Sequence, residues 1–144
     1  MRCAQDIQID IHNDAKDIGL SELIASLIKD NCNQNTKKYK IFSNLKGDVQ
    51  IIAKDADISI ILSFNKGKLT IYNGYGKSLD FAIKADSDKI IGLSRIKLFW
   101  SYPLLFNKEG IGIIKDMIAK DIEIKGILKR IIFGINLLRI ISIY

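Results

Sequence analysis

Between Val49 and Ala85 the sequence alternates. Ile58, Ile60, Leu62 and Phe64 hold every second position, with Ser59, Ile61 and Ser63 between them. Period-2 spacing lines one face of a pleated strand. It does not suit an amphipathic helix, whose apolar positions recur every three or four residues. Asn65-Lys66-Gly67 follows and reads as a three-residue hairpin loop with Gly at the left-handed position. Leu69 and Ile71 then return to the inner face, opposite in sense to Thr70 and Tyr72. A strand at Val49 to Lys54 precedes this hairpin. After the turn Asn73-Gly74-Tyr75-Gly76-Lys77, Leu79, Phe81, Ile83 and Ala85 alternate with Asp80, Ala82 and Lys84. The pattern predicts an antiparallel meander with one apolar face.

Elements of a different period flank the meander. Leu20, Leu23, Ile24, Leu27 and Ile28 predict a helix over about residues 18 to 31, which Asn31-Cys32-Asn33-Gln34-Asn35-Thr36 should stop. Lys37 to Leu45 reads as a second short helix closed by Gly47. Asp86-Ser87-Asp88 has the chemistry of an N-cap, and the helix would run from Lys89 to Ser94. Asp121 to Lys125 alternates as a fifth strand ended by Gly126, and Ile127 to Ile141 reads as a long helix with a wide apolar face. Ahead of everything, Ile7, Ile9 and Ile11 alternate with polar residues, so residues 1–17 form an extended segment whose placement stays open. The fold class is α+β: helices cover one face of a mainly antiparallel five-stranded sheet, in a single domain over 1–144.

Thirty of the 144 residues are isoleucine, and their distribution matters more than their number. One or two helices would cover the meander's inner face. The second half brings three apolar segments instead: 98–106, rich in aromatics and interrupted by Pro103; the helical stripe Ile111, Ile114, Met117 and Ile118; and 127–141. Such a surplus makes either a thick dry core or the walls of a cavity.

Charge and composition narrow the classes. Hydrophobic residues make up 48% and charged residues 26%, which suits a globular chain and excludes collagen, a disordered tail and a disulfide scaffold. The net charge of +6 favours contact with anions. Acids stop at Glu123, while Lys125, Lys129, Arg130 and Arg139 remain. Arginine is scarce and the basic tail is mostly aliphatic, so nucleic acid is not the expected partner. Cys3 and Cys32 form no metal or redox motif. No stretch approaches the ~18 apolar residues of a membrane span. With no secretory signal, a reducing cytoplasmic setting is expected.

Catalytic and metal chemistry find little support. Gly76-Lys77-Ser78 lacks the earlier glycine of a phosphate loop, since position 71 is Ile71, and it leads into a strand pattern. Gly110-Ile111-Gly112 lacks the third glycine of a dinucleotide fingerprint. His12 stands alone. Asp10, His12 and Asp14 would converge on a metal only if the segment is a strand, which places Asp10 and His12 on one face, and a solvated strand edge explains them better. The pairs Asp55/Asp57 and Asp86/Asp88 sit beside turns, where caps account for them. No enzyme activity, cofactor or metal is expected.

The run Asp48 to Ile58, with Leu62-Ser63-Phe64-Asn65-Lys66-Gly67-Lys68-Leu69-Thr70-Ile71, resembles the sterol carrier protein-2 (SCP2) domain, prokaryotic branch. Leu79 to Ile83, the capped helix from Ser87 to Leu93, and Ile124-Lys125-Gly126 before the last helix follow in that family's order. The likeness covers about residues 18 to 142. It implies a five-stranded sheet, helices over one face, and an apolar tunnel for a sterol, fatty acyl chain or phospholipid. The implied function is non-enzymatic lipid binding or carriage.

Walls and lid of the tunnel would come from Phe81, Ile83, Ile91, Leu98, Phe99, Trp100, Tyr102, Leu104, Leu105, Phe106, Ile114, Met117, Ile118, Ile131, Ile135 and Leu138. Lys125, Lys129, Arg130 and Arg139 would steer transient docking on an anionic membrane surface. Two competing readings are a surface or interaction module that uses the 98–106 patch externally, and an accessory domain to a lipid or acyl-CoA enzyme.

Overall fold

The computed structural model describes residues 7–95, 98–99, 102–103, 122–126 and 129–143. Within them lies a six-stranded mixed sheet with helices on one face. Its strands are β1 (Gln8–Ile11), β2 (Lys46–Ala53), β3 (Ile58–Asn65), β4 (Lys68–Asn73), β5 (Ala82–Ala85) and β8 (Ile122–Lys125). They run in the order β1-β4-β3-β2-β5-β8. Leu98–Phe99 (β6) and Tyr102–Pro103 (β7) form a separate two-stranded ribbon. The helices are α1 (Gly19–Gln34), α2 (Thr36–Asn44), α3 (Ser87–Gly92) and α4 (Ile131–Ile141).

Cross-strand register explains why the alternation folds as it does. Val49 faces Leu62, Leu62 faces Ile71, and Phe64 faces Leu69. Ile51 faces both Ile60 and Ile83, and Ile83 in turn faces Ile124. Each pairing joins residues of the same side, so one continuous apolar face spans all six strands, and a one-residue slip would turn it to water. The other side carries Asp48, Ser63, Thr70, Asp10, Lys84 and Glu123, and Ser63 Oγ donates to Asp48 Oδ1 at 2.7 Å.

Several expectations change. The sheet has six strands, because the N-terminal alternating segment pairs with β4 as β1. It is mixed, since β1 runs parallel to β4 and β2 parallel to β5. The hairpin loop is two residues, Lys66 and Gly67, both with positive φ (45° and 93°), the twist-matched geometry for a tight hairpin. The loop's N–H groups donate to Leu45 O and Phe42 O, which fastens the hairpin tip to the end of α2.

Gly47 lies inside β2, three residues beyond the end of α2. There Arg130 and Phe133 approach its Cα so closely that a side chain would collide. The expected strand from Leu79 is regular only from Ala82, because Leu79 N–H donates to the buried Gln50 Oε1 and not to a neighbouring strand. Gln50 Nε2 reaches Ser59 Oγ, Lys77 O and Gly74 O, so one buried amide pins the turn over 74–79.

Helix ends follow their capping chemistry. Asn35 Oδ1 accepts from Lys37 N and Lys38 N at the start of α2. Asp86 occupies the cap position of α3, but its side chain makes no capping bond. Asp55 Oδ1 instead accepts from Ser87 N at 2.9 Å and Ser87 Oγ at 2.8 Å. The hydroxyl, then the amide, holds the Asp55 carboxyl below the usual carboxylate range.

Helix α1 runs three residues past its expected stop. Asn31 is buried, and its amide is occupied by the other end of the chain. The last helix starts at Ile131, not Ile127, after Gly126 turns the chain with φ +82°. The expected helix over 111–118 lies outside the described residues. Phe42, Phe64, Phe133 and Phe81 contact one another in series, edge to face, with centroids 5.5–6.2 Å apart. Each such pair contributes about 0.5–1.5 kcal/mol beyond its burial.

Candidate functional site

An apolar pocket opens between α1, α3 and the sheet. Leu20 and Ile24, then Leu23 and Leu27, stand one turn apart on α1. Ile51 and Ile83 form the floor as neighbours across β2 and β5. Ile90, Ile91, Leu93 and Ser94 close the α3 side, and Ile141 at the end of α4 closes the back. Ten of these eleven residues are aliphatic. The exception, Ser94, spends its hydroxyl on Ile91 O at 2.7 Å. The cavity measures about 80 Å³. Leu23 and Ile91 are 45% and 42% exposed, so they mark its mouth. Among the described residues no titratable side chain lines the pocket, so the walls that are described are hydrocarbon.

Of the expected walls, Ile83 and Ile91 line this pocket. Phe81 lies against Phe133 in the aromatic series. Ile131 is half exposed on α4, while Ile135 and Leu138 are half-buried on that helix away from the pocket lining. Leu98, Phe99 and Tyr102 belong to the ribbon strands β6 and β7, and β7 lies near α4. Trp100, Leu104, Leu105, Phe106, Ile114, Met117 and Ile118 lie outside the described residues. Sequence reasoning read the α1 stripe as one face of a helix and left it out of the expected walls. The available signal was its width: Leu23 and Leu27 widen it beyond the buried Leu20, Ile24 and Ile28.

Behind the pocket a polar seam joins three helices. Asn31 Nδ2 donates to Ile140 O and Ile141 O. Lys38 Nζ donates to Ser142 O. These bonds satisfy carbonyls at the C-terminus of α4, where a cation is also favoured by the helix dipole. Burial lowers the Lys38 ammonium's pKa, and the Arg139 charge adds to that effect. Burial pushes the nearby Cys32 thiol up to about 11, which makes it unreactive.

The four expected docking bases do not share a face. Lys125 Nζ is 3.4 Å from Ser78 Oγ on the edge strand β8. Lys129 is exposed before α4. Arg130 turns inward, with its guanidinium 4.6 Å over the Phe133 ring and near Lys46 O. Arg139 sits at the far end of α4, in a groove shared with α2.

Near the start of the chain, His12 Nδ1 is 2.9 Å from Asp14 Oδ1, both half exposed. The Asn73 N–H, then His12, lowers the Asp14 carboxyl's pKa. Among the described residues, no group of three or more His, Cys, Asp or Glu could hold a metal. Likewise, no helix among them is long and apolar enough to cross a membrane.

No family model matches the chain, and no curated protein does. A solved structure described as "UbiJ-SCP2 Ubiquinone synthesis protein" superposes with a TM-score of 0.56 at 11% identity. The match covers 85% of this chain and 94% of that one. At that identity the likeness concerns architecture, and it agrees with the hairpin and the strand–glycine–helix junction read from the sequence: the chain has an SCP2-like fold.

Proposed function

We propose that this SCP2-like domain binds an apolar, lipid-type ligand (a sterol, a fatty acyl chain or a phospholipid tail) without catalysing a reaction. The observation that carries the reading is the pocket between α1 and α3, aliphatic throughout except for one internally bonded hydroxyl. Each methylene moved out of water contributes about 0.8 kcal/mol. A wall of Leu and Ile offers that gain without directional bonds, which favours broad ligand tolerance. The likeness to a protein described as a ubiquinone synthesis protein is compatible with a polyprenyl-type tail among the ligands.

At about 80 Å³ the pocket is smaller than the ~150 Å³ that accommodates benzene in an engineered protein cavity. Binding a chain therefore requires α1 and α3 to part, with Leu23 and Ile91 at the opening. Loading from a bilayer also needs surface contact. Ile131 and Ile132, 51% and 73% exposed beside Lys129, supply an apolar contact with a positive flank for a transient encounter with an anionic membrane. A cytoplasmic location suits that role.

The test is displacement of a fluorescent fatty acid, with native mass spectrometry of the purified protein. Saturable probe binding at micromolar concentration, weakened by a bulky Ile24→Trp substitution in the pocket, is the expected result. A protein that carries no lipid and binds no probe at that concentration ends the reading.

A further inference from the structure

The groove between α2 and α4 has a chemistry unlike that of the apolar pocket. Lys37, Lys40 and Ile41 project from one side of α2, spaced at three and four residues. Asn136 and Arg139, three residues apart on α4, face them. The groove is open to solvent, offers about 380 Å³, and no carboxylate among the described residues lines it. The chain explains the absence, since neither helix has an acid in its first turn and α4 follows the last acid, Glu123.

Folding thus gathers three positive charges with no counter-charge among the described residues. The ion pairs His12–Asp14 and Lys68–Asp10 lie elsewhere, and among the described residues no carboxylate pairs with Lys37, Lys40 or Arg139. Like charges brought together repel, so an anion that bridges them relieves that repulsion. Arg139 already acts on the neighbouring Lys38 in this sense. The Asn136 amide has no hydrogen-bond partner among the described residues, which leaves a donor at the groove wall.

We propose that the α2–α4 groove binds a phosphate-bearing anion, with Lys37, Lys40 and Arg139 supplying charge and the Asn136 amide a hydrogen bond. A multiply charged oxyanion fits better than a single carboxylate. Two lysines act as mobile point charges, and the Arg fork engages two oxygens at once. The open groove has room for a phosphate or diphosphate. This site is separate from the apolar pocket and does not depend on it.

Two probes distinguish a free phosphate from a lipid headgroup: inorganic pyrophosphate followed by calorimetry, and phosphatidic acid in phosphatidylcholine vesicles followed by co-sedimentation, both at low ionic strength. Lys37 and Lys40 are exposed, so the Lys37→Gln/Lys40→Gln variant should keep its fold, as checked by its urea midpoint. The control is Lys54→Gln/Lys84→Gln, which removes the same charge from exposed positions elsewhere. The groove variant should weaken binding at least tenfold and the control less than twofold. Groove-dependent pyrophosphate binding supports the site with a free phosphate as source. Groove-dependent vesicle binding alone supports it with a lipid headgroup as source. If wild type binds neither probe, or both variants weaken binding equally, the proposal is overturned.

Discussion

Asn31 Nδ2 donates to Ile141 O at 2.9 Å, across 110 residues of chain. It also reaches Ile140 O at 2.9 Å, so one side chain of α1 satisfies two of the last carbonyls of α4. Asn31→Leu strands both buried acceptors and should lower stability by about 1–3 kcal/mol. Asn31→Asp should be worse, because a carboxylate cannot donate to those carbonyls. Urea midpoints of the two variants test the order; a neutral Asn31→Leu would show that water replaces the amide.

Gln50 plays the corresponding role for the turn over 74–79. Replacing it with Leu keeps the volume and removes four contacts made by one amide. The expected outcome is a loss of about 1–3 kcal/mol and faster hydrogen exchange at Leu79, whose N–H loses its acceptor. Unchanged protection at Leu79 would mean that the turn stands by itself.

Ser21 is the opposite case. Its hydroxyl is fully buried in α1 and is the one buried side-chain polar atom among the described residues without a hydrogen-bond partner. Ser21→Ala removes that desolvated group and adds helix propensity, so it should raise stability by about 1 kcal/mol. A thermal or urea melt that shows destabilisation would contradict this.

The thiol of Cys32 makes stability fall at alkaline pH. Its ordinary pKa of 9.0 rises to about 11 in the fold through burial. Between those values the unfolded chain has lost the proton while the folded protein still holds it, so stability present below pH 9 is lost as pH rises toward 11. Lys38, lowered by burial from 10.5, acts in the other direction, favouring the fold as its proton leaves. Cys32→Ala should therefore flatten or reverse the decline between pH 9 and 11, read from urea midpoints. An identical slope in the variant would remove Cys32 as its source.

Mouth residues separate binding from folding. Leu23 and Ile91 are nearly half exposed, so Leu23→Glu and Ile91→Glu should shift stability by no more than about 0.5 kcal/mol. If the apolar pocket takes lipid through that mouth, each should weaken fatty-acid probe binding at least tenfold. Full binding in both variants would move the mouth elsewhere.

The alternating isoleucines were legible because one register satisfies every strand pair. Ile58 to Phe64, Leu69 and Ile71, and Ile122 to Lys125 all needed only period 2. Long-range polar contacts were not legible. Asn31 has the residue type of a helix stop, and only the distant end of α4 makes its burial favourable. Leu79 to Phe81 continues a strand pattern, yet the Gln50 side chain takes the Leu79 N–H. The candidate pocket was half visible. Ile83 and Ile91 were named for it, but the α1 stripe looked like core because nothing local distinguishes a helix face that packs on a sheet from one that leaves a gap.

Parallel pairing of β1 with β4 sets an order of assembly. Gln8 leaves the ribosome well before its partner Lys68, and no tight turn can join parallel neighbours. The nascent β1 cannot make its ladder until β4 exists. All of its ladder partners, Lys68 to Ile71, belong to the second strand of the β3–β4 hairpin. At four residues β1 is a short edge, which leaves another chain little free backbone to pair with.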